Sequence, residues 1–280
     1  KKLLSAGYEV TCFDLAEQHL RHSALLKEIS KIGKLQLKFG SILDRNALRE
    51  AMSDIDVVFH LAAMLGVQKT EEQKLGCIEV NITGTDNVFN AAVAHSVQKV
   101  IFASSSEVYG EPIKNPISEE QATQGKTVYG VTKMAGEELA RGYSQRYPSV
   151  ENTIVRFFNT YGEGQVAQFV LTKWVMNVMQ GKNPIVYGDG EQVRSYGHVD
   201  DVTDGLKLIL ENPVSNGKTY NLGNSSQIRT LKELAQQVID IVNPSAGLQV
   251  EVLGDFEGAD RVAEREIHTR YCDTTFAQKE

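Results

Sequence analysis

Short apolar runs alternate with helix-patterned segments through the first 158 residues, and this alternation constrains the fold more than any other feature of the chain. Residues 8–15, Leu35–Phe39, 57–62, 100–104 and 152–158 read as strands that are apolar almost throughout, not at every second position. Strands of that kind have both faces covered, which is the mark of a parallel sheet between layers of helix. Residues 46–52, 81–95 and 129–147 carry apolar side chains at helical spacing and supply the crossovers. The pattern predicts an α/β architecture, a Rossmann-type doubly wound parallel sheet.

Beyond residue 158 the rhythm becomes irregular. Helices are expected over 169–180, from about Asp200 and Asp201 onward, and over Leu231–Val242. Short strands are expected at 184–187, 196–199, 220–223 and 250–253, with Gly188 and Gly190 marking a turn. Asp200 and Asp201 read as caps of the helix that follows. This half is expected to form a smaller, interleaved substrate-binding lobe from 159–192 and 225–280, with 1–158 and 193–224 forming the sheet domain.

Composition narrows the partners. A net charge of −7 on 280 residues, with no polybasic tail, argues against nucleic acid or an acidic membrane surface. There is no apolar run of about 18 residues and hence no expected membrane helix. Cys12, Cys77 and Cys272 stand far apart without a CxxC pair, which fits reduced thiols in a cytoplasm, and no zinc-ligand spacing is present. Residues 1–7 read as the second half of a helix already under way, so the sequence is expected to be a fragment.

The chemistry centres on Tyr129-Gly130-Val131-Thr132-Lys133. Residues four apart share a helix face, so the Lys133 ammonium is expected beside Tyr129, lowering the phenol's pKa from about 10 towards the working range. The spacing alone is weak evidence, since tyrosine–lysine pairs at this interval arise by chance. Its context is stronger. Twenty-four residues before Tyr129, an apolar strand runs into Ser104-Ser105-Ser106-Glu107-Val108-Tyr109-Gly110. Hydroxyls at the carboxyl end of a parallel strand lie where doubly wound sheets bind ligands, and Ser105 there can hydrogen-bond an oxygen that alternates between alcohol and ketone.

Together with Asp14, His60-Leu61-Ala62-Ala63, Asn81-Ile82-Thr83-Gly84-Thr85, Arg156-Phe157-Phe158-Asn159-Thr160-Tyr161-Gly162 and Gly188-Asp189-Gly190-Glu191-Gln192-Val193-Arg194, these segments resemble the extended short-chain dehydrogenases/reductases. The resemblance is to their NAD-dependent nucleotide-sugar epimerase/dehydratase family and covers nearly the whole chain. It implies NAD as cofactor, a nucleotide-diphosphate sugar as substrate, and a homodimer. It implies Ser105, Tyr129 and Lys133 as the catalytic set, with Tyr129 taking the C4 hydroxyl proton as hydride passes to NAD.

On the cofactor side the resemblance implies Asp14 for the adenosine ribose, with a turn or helix cap as its competing role. It also implies Ile42 packing near the adenine, with Ser41 where the family usually has Asp. His60, Leu61, Ala62 and Ala63 pass beside the cofactor, His60 otherwise being a packed strand-end residue. Asn81 steadies that region and Phe157 flanks it. The glycine-rich turn that offers amide N–H groups to the pyrophosphate is expected before Lys1, together with the first strand.

On the substrate side the resemblance implies Ser106, Asn159 and Arg194, with Arg265 and Arg261 as candidates for a second phosphate contact. Glu107 is the residue that bears on the net reaction. It is similar to the carboxylate of GDP-mannose-type dehydratases and UDP-glucuronate decarboxylases, placed to take the C5 proton or to orient a substrate carboxylate, or else pointing away. A ketone reductase and a non-catalytic nucleotide-binding relative remain as alternatives.

Overall fold

A computed structural model of the chain describes residues 1–259 and 263–280; Arg261 lies outside the described residues. Five parallel strands alternate with helices: β1 (Val10–Asp14), β2 (Leu35–Phe39), β3 (Val57–His60), β4 (Lys99–Ser105) and β5 (Glu151–Phe157). β1 pairs with β2, while β3, β4, β5 and the Thr219–Leu222 strand form a four-stranded parallel sheet in that order. The doubly wound Rossmann-type expectation is met. β1 and β3 share no hydrogen bonds, so the ladder falls into two blocks.

β4 is buried along its length except at Ser105, which explains its unbroken apolar run. Phe89, Val100, Phe102, Ala140 and Ile154 form the core between this sheet and the helices Gly84–Ala94 and Val128–Arg146. The second helix presses close: a Cβ on Gly136 would stand 2.3 Å from the Phe102 ring, so only glycine permits this approach. Thr127 caps that helix by accepting from the Gly130 N–H at 3.0 Å. The helix expected over 81–95 is instead three pieces: Lys74–Ile78, a π-helical turn Glu79–Thr83, and Gly84–Ala94. Single-turn π segments are rare and gather at functional sites, and this one carries Asn81.

The second core belongs to the lobe. Leu171, Trp174 and Val178 of the Val170–Met179 helix pack on Ala235, Val238 and Ile239 of Leu231–Val242. The latter begins with the reciprocal Thr230–Glu233 capping box, which satisfies two end N–H groups. Val193–Ser195 pairs with Ile228–Thr230 and with Thr269–Arg270, bringing Arg194 and Arg270 into register. The Val199–Glu211 helix is capped by His198, whose Nδ1 accepts from the Asp200 N–H. Asp200 and Asp201 sit in its first turn, not at the cap, where Asp200 and Asp204 meet Lys2.

Candidate active site

A cleft of about 770 Å³ runs between the carboxyl ends of β3, β4 and β5 and the lobe. Ser105, Ser106, Glu107, Tyr129, Lys133, Phe157, Asn159 and Arg194 all line it. The fold therefore gathers residues from eight positions spread over ninety of the sequence, and it does so at the strand ends where parallel sheets place ligands.

Ser105 ends β4, and its Oγ accepts from the Glu107 N–H at 3.2 Å, starting the short 3₁₀ turn Ser106–Tyr109. Tyr129 sits in the first turn of the Val128–Arg146 helix, and Lys133 one turn later. The Lys133 Nζ donates to the Ala103 carbonyl at 2.8 Å and lies 5.7 Å from the Tyr129 ring centroid. Burial lowers the lysine's pKa to about 8. Tyr129 departs from expectation. Burial, followed by the Glu107 carboxylate, pushes its pKa upward; the Ser105 hydroxyl pulls the other way, and Lys133 is not among the causes. The ammonium is turned to the Ala103 carbonyl, and desolvation of a phenolate outweighs its influence. In this state Tyr129 is a protonated phenol.

On the cofactor side, Asp14 is exposed, with Oδ1 accepting from the Ala16 N–H at 2.9 Å, so it also serves the turn. Leu61 and Ala62 are exposed after β3, and Ala63 and Leu61 line the cleft. Asn81 clamps this loop: its Oδ1 accepts from the Met64 N–H at 2.7 Å, and its Nδ2 donates to the Met64 carbonyl at 3.1 Å and to Thr132 Oγ1 at 3.0 Å. His60 is buried, with Nε2 against Thr85 Oγ1 at 2.9 Å, and desolvation holds its pKa down to about 3. It is a neutral packing histidine. Ile42 is buried in the first core against Gly84, where a Cβ would stand 2.5 Å from its Cδ1.

The three-stranded sheet of Val193–Ser195, Ile228–Thr230 and Thr269–Arg270 carries two buried arginines. Arg194 donates to the Val193 and His268 carbonyls at 2.8 and 3.0 Å and forms an ion pair with Glu266. Arg270, beside it in register, pairs with Glu107 and also lines the cleft. Arg265 is not a cleft residue: it bonds the Lys126 carbonyl and lies 3.8 Å from Glu71, whose Oε1 accepts from the Val128 N–H at 3.0 Å. The motifs pointed to Arg194 but not to Arg270 or Glu266. Their only signal was an Arg three residues before Asp273 at the start of a terminal helix, which does not identify a partner 163 residues away.

The model of the NAD dependent epimerase/dehydratase family matches residues 1–223. The chain belongs to that family. A UDP-N-acetyl-alpha-D-glucosaminuronate decarboxylase of Bacillus cytotoxicus is 36% identical over 255 residues, which are 88% of this chain and 76% of that protein. MoeE5, solved in complex with UDP-glucuronic acid and NAD, matches with a TM-score of 0.84 at 26% identity, covering 99% of this chain and 86% of that one. A double mutant of DesIV, a dTDP-glucose 4,6-dehydratase of Streptomyces venezuelae solved with NAD, gives a TM-score of 0.86 at 25% identity over 100% and 85% of the two chains. The cofactor of this epimerase/dehydratase-family enzyme is NAD, and its relatives act on nucleotide sugars.

Proposed function

We propose that this enzyme oxidises the C4 hydroxyl of a nucleotide-diphosphate sugar to a transient 4-ketone and completes its reaction from that ketone. The observation that carries this reading is one cleft holding both Ser105, Tyr129 and Lys133 and the paired arginines Arg194 and Arg270. An alcohol-oxidising set alone would suit any ketone reductase. Two guanidinium groups side by side suit a diphosphate, because their planar forks bind phosphate oxygens in pairs.

Asp14, Leu61, Ala62, Ala63, Phe157 and Lys133 would hold NAD, with Asn81 fixing the loop and His60 and Ile42 packing beneath. NAD held there would supply the acceptor for the C4 hydride. Tyr129 first gives its own phenolic proton to solvent and, as the phenolate, receives the hydroxyl proton, while Ser105 hydrogen-bonds the same oxygen. Lys133, 5.7 Å from the Tyr129 ring, stabilises the phenolate once it forms. On the return step the raised pKa of Tyr129 makes it a ready proton holder. Asn159 and Ser106 also line the cleft, where they would meet the sugar.

A second, narrower reading has its own observation. Glu107 is held by Arg270 and is not poised alone as a base. A 4-keto uronate needs no base: its C5–C6 bond breaks to release carbon dioxide, the electron pair passes into the C4 enolate, and C5 is then protonated. The Bacillus cytotoxicus decarboxylase supports this UDP-uronate decarboxylation.

Incubation with NAD⁺ and a panel of nucleotide sugars separates the outcomes by product mass: unchanged for epimerisation, less water for dehydration, less carbon dioxide for decarboxylation. Failure of every diphosphate sugar alongside reduction of a simple ketone would overturn the reading.

A further inference from the structure

Behind the catalytic residues lies an ion pair that does not line the cleft. Glu137 follows Lys133 by four residues and Tyr129 by eight, so the three share the helix face turned to the sheet. It is 1% exposed, and its partner Arg156, on β5, is 4% exposed. The Arg156 Nε and Nη2 donate to the two Glu137 oxygens at 2.8 and 2.7 Å. The Ser104 Oγ donates to Oε1 at 2.6 Å and Arg141 Nη2 to Oε2 at 3.0 Å, so four donors converge on one carboxylate.

Each partner adjoins a reacting group. Ser104 precedes Ser105 and follows Ala103, whose carbonyl takes the Lys133 ammonium. Arg156 is the register partner of Ser104, next to Phe157 and three residues before Asn159. Its Nη1 donates to the Tyr109 Oη at 2.9 Å, and Tyr109 closes the turn that carries Glu107. Tyr109 in turn donates to Asn221 Oδ1 at 2.7 Å on the last strand of the sheet.

We infer that Glu137 and Arg156 are positioning residues, which hold Ser105 and Lys133 in register with Tyr129 for the redox step. The inference rests on the reading of Tyr129 as the acid–base residue. Packing alone does not call for charge here, because burying an ion pair costs desolvation that well-fitted apolar side chains avoid. What the pair supplies is direction: a bidentate fork fixes the rotation and height of the helix on β4 and β5, which apolar contacts leave free to slide.

The test compares the NAD-loaded enzyme with Glu137→Gln and with the double variant Glu137→Met/Arg156→Met. Glu137→Gln is expected to lower kcat by about 10–100-fold, since displacements near 1 Å carry losses of that order, while KM stays within about two-fold. A C4-deuterated substrate then shows a larger isotope effect on kcat. The double variant regains the melting temperature lost in the single one but not kcat, and it alone decides the matter if the single variant does not fold. A kcat within about two-fold of wild type in any folded variant, a loss carried by KM alone, or recovery of kcat together with melting temperature overturns the inference. Should the wild type turn over no sugar, the proposed function fails, and the inference is read from the crystal structure of the folded variant. Loss of the Lys133–Ala103 hydrogen bond supports it, and its retention overturns it.

Discussion

Among the described residues, the arginine–glutamate pairs Arg156–Glu137, Arg194–Glu266 and Arg270–Glu107, each with a buried arginine, stand in two settings, and their contrast separates the apparatus proposed to be fixed from the apparatus proposed to meet substrate. Arg156–Glu137 lies between sheet and helix, bidentate and supplied with further donors. Arg194–Glu266 and Arg270–Glu107 line the cleft. The first pair is closed to ligands and sets geometry. The other two line the cleft, where on the proposed function an arriving phosphate would compete with the carboxylates. On this proposal the same kind of ion pair is a fastener in one place and an exchangeable contact in the other.

The largest expected effect is at Tyr129, the cleft residue that the fixed pair is proposed to hold in register. Tyr129→Phe removes the proton carrier without disturbing packing, and kcat is expected to fall about 10²–10⁴-fold with the melting temperature unchanged. Full turnover in that variant would dissolve the distinction.

Next comes the pH response of the same region. His60 binds its proton near 3 when folded and near 6.5 when unfolded, so between those values the unfolded chain holds the extra proton. Stability therefore drops as pH falls through that window, by about 1.4 kcal/mol per pH unit from this group at most. Chemical denaturation of wild type and His60→Gln at pH 7 and pH 5 should show a smaller pH dependence in the variant; equal slopes would place His60 in solvent.

On the exchangeable side, Arg194→Lys replaces a fork by a point charge and is expected to raise KM about 10-fold or more, with kcat little changed. The smallest effect is Glu266→Gln, which weakens the carboxylate's competition for Arg194. Calorimetry should find the nucleotide diphosphate bound about two- to five-fold tighter, within the typical worth of a charged hydrogen bond. Weaker binding would mean that Glu266 orients Arg194 and does not compete with the ligand.

The sheet, and the gathering of Ser105, Tyr129 and Lys133 at one cleft, were legible in sequence for definite reasons. Strands buried on both faces write unbroken apolar runs, so β2 was placed to the residue and β4 within one at each end. Tyr129 and Lys133 lie one turn apart on a single helix, which spacing can reveal. The helices Glu17–His22 and Ala24–Ile29 left no such trace, because they are short and largely polar or solvent-facing. Arg270 was hidden because its meeting with Glu107 depends on two strands pairing across the lobe, a contact no local pattern encodes. The direction of the Tyr129 pKa was misjudged for a related reason: spacing gives proximity to Lys133 but neither the desolvation nor the carbonyl that draws the ammonium aside.

Asn81 carries one last consequence. Its side chain bonds both the N–H and the carbonyl of Met64 while also reaching Thr132 on the catalytic helix. A segment without regular structure is thereby given the opening free energy of its regular neighbours. The Met64 amide should exchange with deuterium as slowly as amides of the Val128–Arg146 helix, and the two regions should loosen together on one clock.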